Sequence, residues 1–210
     1  MLNRVLNAAM LAAVVLGAAA CDGGSATAPG DARLSQAQAL SLSRSIFAIG
    51  AGMSGGTVPS GARGARIQTA AGSNAFTFTL DTSVPCPAGG ATAIAGTLAG
   101  SYDGVAKTGQ VQANLAVTHQ SCAMKTDDGA TFTLNGDPKI DVGLNAASGA
   151  NGLTGFHLTE SGAFTWSRGA GNSGRCTVDL TGDLVSGTQN VHVTGTFCGF
   201  AVDDVVQGTH

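Results

Sequence analysis

FHLTESGAFTW, residues 156–166, is the stretch whose reading decides the fold. Phe156 and Leu158 alternate with polar residues, and so do Phe164 and Trp166 beyond Glu160-Ser161-Gly162. Strict alternation gives a strand one apolar face and one polar face. Glu160-Ser161-Gly162 reads as a three-residue hairpin loop, with Gly162 at the position that wants a left-handed backbone. That register sets Leu158 opposite Phe164 and Phe156 opposite Trp166, all on one face. Trp166 therefore belongs to the core and is not a ligand platform.

The same period extends in both directions. Phe76, Phe78 and Leu80 alternate with threonines, Ile94, Leu98 and Tyr102 share a face, and Val111, Ala113, Leu115 and Val117 line another. Phe132 and Leu134 answer Ile140, Val142 and Leu144 across an expected turn at Asn135-Gly136-Asp137-Pro138. Near the end, Cys176, Val178, Leu180 and Leu184 share one phase, and Val191, Val193 and Phe197 share another. No alternation of helices with strands suggests parallel crossovers. The expected fold is mainly β, an antiparallel up-and-down meander of about nine strands over residues 75–202. Its apolar face is closed as a barrel, folded into a sandwich, or covered by a helix.

One N-terminal helix is expected over residues 34–50. Ser35 and Gln38 match a capping box, Leu34 sits where a hydrophobic staple residue belongs, and Gly50 supplies a stop. Ala39, Leu42, Ile46 and Ile49 recur at helical spacing, which reads as core packing. Residues 51–74 are rich in Gly, Ser and Ala and read as a loop or linker.

Composition narrows the function. The chain has 210 residues, a net charge of −3 and no run of Lys or Arg, so nucleic acid, which demands clustered cations, is disfavoured as a partner. Disorder is disfavoured as well, because 43% of residues are hydrophobic and patterned. Few charges (11%) and 32 glycines suit short strands and turns.

The N-terminus, MLNRVLNAAMLAAVVLGAAAC, begins with one Arg, continues through an apolar stretch and ends in small residues. Residues 1–20 have the layout of a signal peptide, with an apolar run shorter than the roughly 18–20 residues of a membrane span. Cys21 after Ala18-Ala19-Ala20 resembles the lipobox of bacterial lipoproteins, although those boxes usually carry Leu where Ala18 stands. The resemblance covers this segment alone. It implies a diacylated Cys21 as the first mature residue, residues 21–33 as a tether, and a chain anchored in a cell-envelope membrane. A freely secreted or periplasmic protein is the alternative. The remaining cysteines, Cys86, Cys122, Cys176 and Cys198, are even in number and suit two disulfides in an exported protein. Four cysteines allow three connectivities; Cys86–Cys122 about a turn near Gly104, and Cys176–Cys198 about Gly187, are the expected pairs among them. The second pair requires a bulge near Gly195 or Gly199 to keep Val191 and Val193 on the apolar face.

Motifs with chemistry are scarce. Gly52-Met53-Ser54-Gly55-Gly56 fits a nucleophile elbow but follows a helix instead of a strand. Gly169 to Gly174 fits G-x-G-x-x-G but lies between strands, with no helix to hold a pyrophosphate. His119, His157, His192 and His210 lack metal-ligand spacing. His157 and His192 fall on the polar phase, whereas His119 shares the apolar phase of Leu115 and Val117. Glu160 sits in the expected hairpin turn, and Asp127, Asp128, Asp137 and Asp141 form at most a weak calcium candidate. The expectation is a non-enzymatic envelope lipoprotein with no cofactor and no metal, its β-domain binding a protein or serving a structural role. The alternative is an open barrel carrying an acyl chain or other small apolar ligand, like a lipocalin by fold analogy alone.

Overall fold

The computed structural model describes residues 34–52, 62–70, 73–169 and 171–207. Residues 1–33, with the expected signal peptide, Cys21 and the expected tether, Met53 to Gly56 of the G-x-S-x-G motif, and His210 lie outside the described residues. The described chain forms helix α1 (Gln36–Gly52) and strands β1 (Ala62–Ala70), β2 (Ser73–Pro85), β3 (Ala91–Asp103), β4 (Thr108–Gln120) and β5 (Cys122–Lys125). It continues through β6 (Thr131–Gly149), β7 (Gly152–Arg168), β8 (Asn172–Leu184), β9 (Val191–Phe197) and β10 (Phe200–Val206). Every ladder is antiparallel, in the order β1-β2-β3-β4-β6-β7-β8-β9-β10, with the short β5 also pairing with β6. The fold is therefore mainly β and up-and-down, in one sheet that does not close.

The two-residue period does the sorting. Along β4, Ala113, Leu115, Val117 and His119 are buried, and the register sets Leu115 beside Gly96 of β3 and Val142 of β6. Rows of this kind cross the sheet, so the apolar face forms one continuous core that includes Phe132, Leu134, Phe164, Trp166 and Phe197.

Two expected turns are not turns. Glu160-Ser161-Gly162 lies inside the 17-residue strand β7, and Asn135-Gly136-Asp137-Pro138 lies inside the 19-residue strand β6. Leu158 pairs with Leu144 and Gly182, and Phe164 with Gly136 and Cys176, so Leu158–Phe164 and Phe156–Trp166 are not partners. The physical reason is that these two segments face each other. The β6–β7 register shifts between Gly136 and Ile140, opposite Phe164 and Gly162, which leaves three β6 residues against one on β7. Gly162 has φ 147°, and a Cβ there would lie 2.3 Å from the Lys139 carbonyl oxygen. The turn-forming residues of both strands are used for a shared bulge that bends two long strands without reversing either.

The Gly-rich stretch read as a loop contains β1, and α1 runs through Gly50 to Gly52. This strand is the edge of the sheet, paired with β2 alone, and its register shifts between Arg63 and Arg66. A single helical glycine costs only about 1 kcal/mol, too little to enforce a stop.

The capping box forms: Ser35 N donates to Gln38 Oε1 and Gln38 N to Ser35 Oγ, both at 3.2 Å. Leu34, Ala39, Leu42 and Ile46 enter the core, where α1 packs against β5, β9 and β10. On its flanks, Gln38 Nε2 donates to Asp128 at 2.9 Å and Arg44 Nε to Asp204 at 2.8 Å. The helix thus spans from the β5–β6 turn to the last strand.

Disulfides join Cys86 to Cys122 and Cys176 to Cys198. No bulge shifts the β8–β9 ladder, and Val191 and Val193 are buried opposite Leu184 and Gly182. Phe197 pairs with Phe200, so Cys198-Gly199 forms a two-residue turn with φ 53° and 82°. Cys198 reaches Cys176 from that turn, which removes the phase conflict.

Candidate functional site

Where β3 runs beside β4, the register pairs Thr92 with His119, and both side chains are buried. Thr92 Oγ1 lies 3.0 Å from His119 Nδ1, 3.3 Å from Cys86 Sγ and 3.6 Å from Cys122 Sγ. One hydroxyl therefore connects an imidazole to both sulfurs of a disulfide. The His119 ring meets Phe164 edge-on at 5.9 Å, and its Nε2 has no partner among the described residues. Desolvation pushes His119 down to about 4, so the ring is neutral at pH 7.

A cleft of about 450 Å³ is lined by Ser45, Pro87, Ala88, Met124, Lys125 and Thr131. It lies between α1, the β2–β3 turn and β5. Cys86 opens that turn, Cys122 is two residues before Met124, and Lys125 supplies the cleft's cation.

The second buried ionisable group is Glu160, the chain's only glutamate. It is not in a turn but in β7, on the core face between Val142 and Leu180, with 2% exposure. Its Oε2 has no hydrogen-bond partner among the described residues, and burial raises the carboxyl to about 7. The sequence held the signal: Phe156, Leu158 and Glu160 share one phase, and the turn assignment hid it.

The other candidates are dispersed. His157 and His192 are half exposed, the first 2.7 Å from Asp183 and the second 2.6 Å from Asp203. The four aspartates of the calcium candidate do not converge. Asp128 accepts from Thr126, Gln38 and Ala130, Asp137 pairs with Arg175, and Asp141 pairs with Lys139. No group of three metal-ligating side chains occurs among the described residues. Of the G-x-G-x-x-G segment, Gly169 and Gly171 lie between β7 and β8, Asn172 to Gly174 open β8, and the Trp166 ring lies against Gly174. Among the described residues no helix is long and apolar enough to cross a membrane.

No protein-family model, curated protein or solved structure matches this chain. Two disulfides indicate folding in an oxidising, exported environment.

Proposed function

We propose that the chain is a cell-envelope lipoprotein, held to a bacterial membrane by acyl chains on Cys21, whose β-domain binds a partner or serves a structural role without catalysis. The observation behind this reading is the cysteine balance. Four cysteines pair within the domain, and Cys21 is left directly after a signal-like segment. Two or three acyl chains at roughly 0.8 kcal/mol per buried CH₂ hold a protein firmly to a bilayer. Expression in a bacterial host with labelled palmitate, followed by intact-mass measurement, tests the anchor. Acylation that disappears in Cys21→Ser supports it, and an unmodified mature chain refutes it.

A second reading, carriage of a small apolar ligand, draws on one feature. At the end of the sheet away from β5, Phe76, Phe78 and Leu98 are only half-buried and Tyr102 is exposed. Native mass spectrometry of the purified domain separates the two: co-purified lipid favours the carrier, and a clean apo mass counts against it.

A further inference from the structure

We infer that Cys86–Cys122 is an exchangeable disulfide, at which an incoming thiolate attacks Cys86 Sγ while Thr92, backed by His119, holds the departing Cys122 sulfur. This replaces the non-catalytic part of the reading above with thiol–disulfide exchange and stands whether or not Cys21 is lipidated.

Position sets the order of attack. Cys86 is 7% exposed and is followed in the chain by Pro87 and Ala88, which line the cleft, whereas Cys122 is fully enclosed. Lys125 on the cleft lining favours the approach of a thiolate. In the tautomer with Nδ1 protonated, His119 donates to Thr92 Oγ1 and frees the hydroxyl proton for sulfur. A departing thiolate then accepts a ready-made hydrogen bond, which is the property that speeds exchange.

The disulfide is not the only tie between its two segments. Ala88 N donates to the Ala123 carbonyl at 3.0 Å, and Ala123 N donates to Gly89 at 2.7 Å. These hydrogen bonds do not depend on the disulfide, and reversible exchange requires that they hold the segments together after cleavage. Cys176–Cys198 has no such surroundings: the sulfur of Cys176 reaches only the neighbouring Thr177 carbonyl, at 3.6 Å.

The substrate class is a dithiol. Its first thiolate forms a mixed disulfide with Cys86 and releases the Cys122 thiolate. Its second thiolate then attacks the mixed disulfide, forms the substrate disulfide and releases Cys86. Two electrons pass from substrate to protein, the two substrate protons end on Cys86 and Cys122 directly or through solvent, and exchange with a second disulfide compound such as oxidised glutathione restores the bond.

Graded dithiothreitol under native conditions, followed by iodoacetamide trapping and peptide mapping, tests this. The expected result is alkylation of Cys86 and Cys122 with Cys176–Cys198 intact and the β-sheet circular dichroism unchanged. Thr92→Val slows the reaction by about tenfold or more, the loss expected for a hydrogen bond to a charged group, and Thr92→Ser restores it. Should Thr92→Val fold poorly, His119→Asn gives the second reading of the relay and slows exchange in the same way. Opening of Cys176–Cys198 first, opening of both bonds only in denaturant, or relay variants reacting at the wild-type rate would each overturn the proposal.

Discussion

Replacing Glu160 with Gln makes the stability of this domain depend on pH in a range where the wild type is nearly indifferent. Burial holds the Glu160 carboxyl at about 7 in the folded state, against an ordinary 4.5. Folding therefore takes up a proton at Glu160, and its stability contribution, intact below 4.5, is lost as pH rises towards about 7. His119 has the opposite sign. Its folded value of about 4 lies below the ordinary 6.5, so its contribution is intact above 6.5 and lost as pH falls towards about 4. At 1.36 kcal/mol per pH unit, each effect is about 3 kcal/mol. Between about 4.5 and 6.5 the folded state holds the proton on Glu160 and the unfolded state holds it on His119. The counts are equal, so the slope of stability against pH is near zero. Asp103, Asp128 and Asp204 are held below 3.8 by hydrogen bonds, so they titrate outside this window. With Glu160→Gln only the His119 slope remains, and stability climbs by about 3 kcal/mol from pH 4 to pH 6.5. Urea unfolding of both proteins across that range, with disulfides intact, measures the difference. Parallel profiles for wild type and variant would refute the reasoning.

Three further outcomes follow from the geometry. Phe164→Ala removes a fully buried ring that touches His119 and Phe197, and should lower unfolding stability by about 3–5 kcal/mol in urea. Gly195→Ala should destabilise by more than about 1 kcal/mol, because φ is 133° and the new Cβ would lie 2.1 Å from the Asp179 carbonyl oxygen; thermal unfolding reads the loss. Arg44→Ala breaks exposed ion pairs to Asp127 and Asp204, and its effect should stay below about 1 kcal/mol and shrink further in high salt.

The fold class was legible because burial on a strand repeats every two residues, and Ala113, Leu115 and Val117 or Val178 and Leu180 show that repeat in the bare sequence. The helix start was legible for a similar reason: Ser35 and Gln38 satisfy each other's backbone donors within one turn. Signals of this kind act over a few residues, so neighbours along the chain suffice to read them. The turn signals at 135–138 and 160–162 misled because the same residues serve a reversal or a bulge. Which one forms depends on what lies across the ladder, here Gly136 opposite Phe164 and Gly162 opposite Ile140.

By itself the sequence determined a mainly antiparallel β-domain, one capped helix and an inward-facing His119. Only the tertiary structure decided that the sheet stays open, that two apparent turns are one bend, and that Glu160 Oε2 is buried with no partner among the described residues. Only it placed Thr92 between His119 and the Cys86–Cys122 sulfurs, through contacts 27 and 30 residues apart along the chain. Local pattern sets which face of a strand is buried. What meets on that face is set by register between distant strands, and register is a property of the assembled sheet.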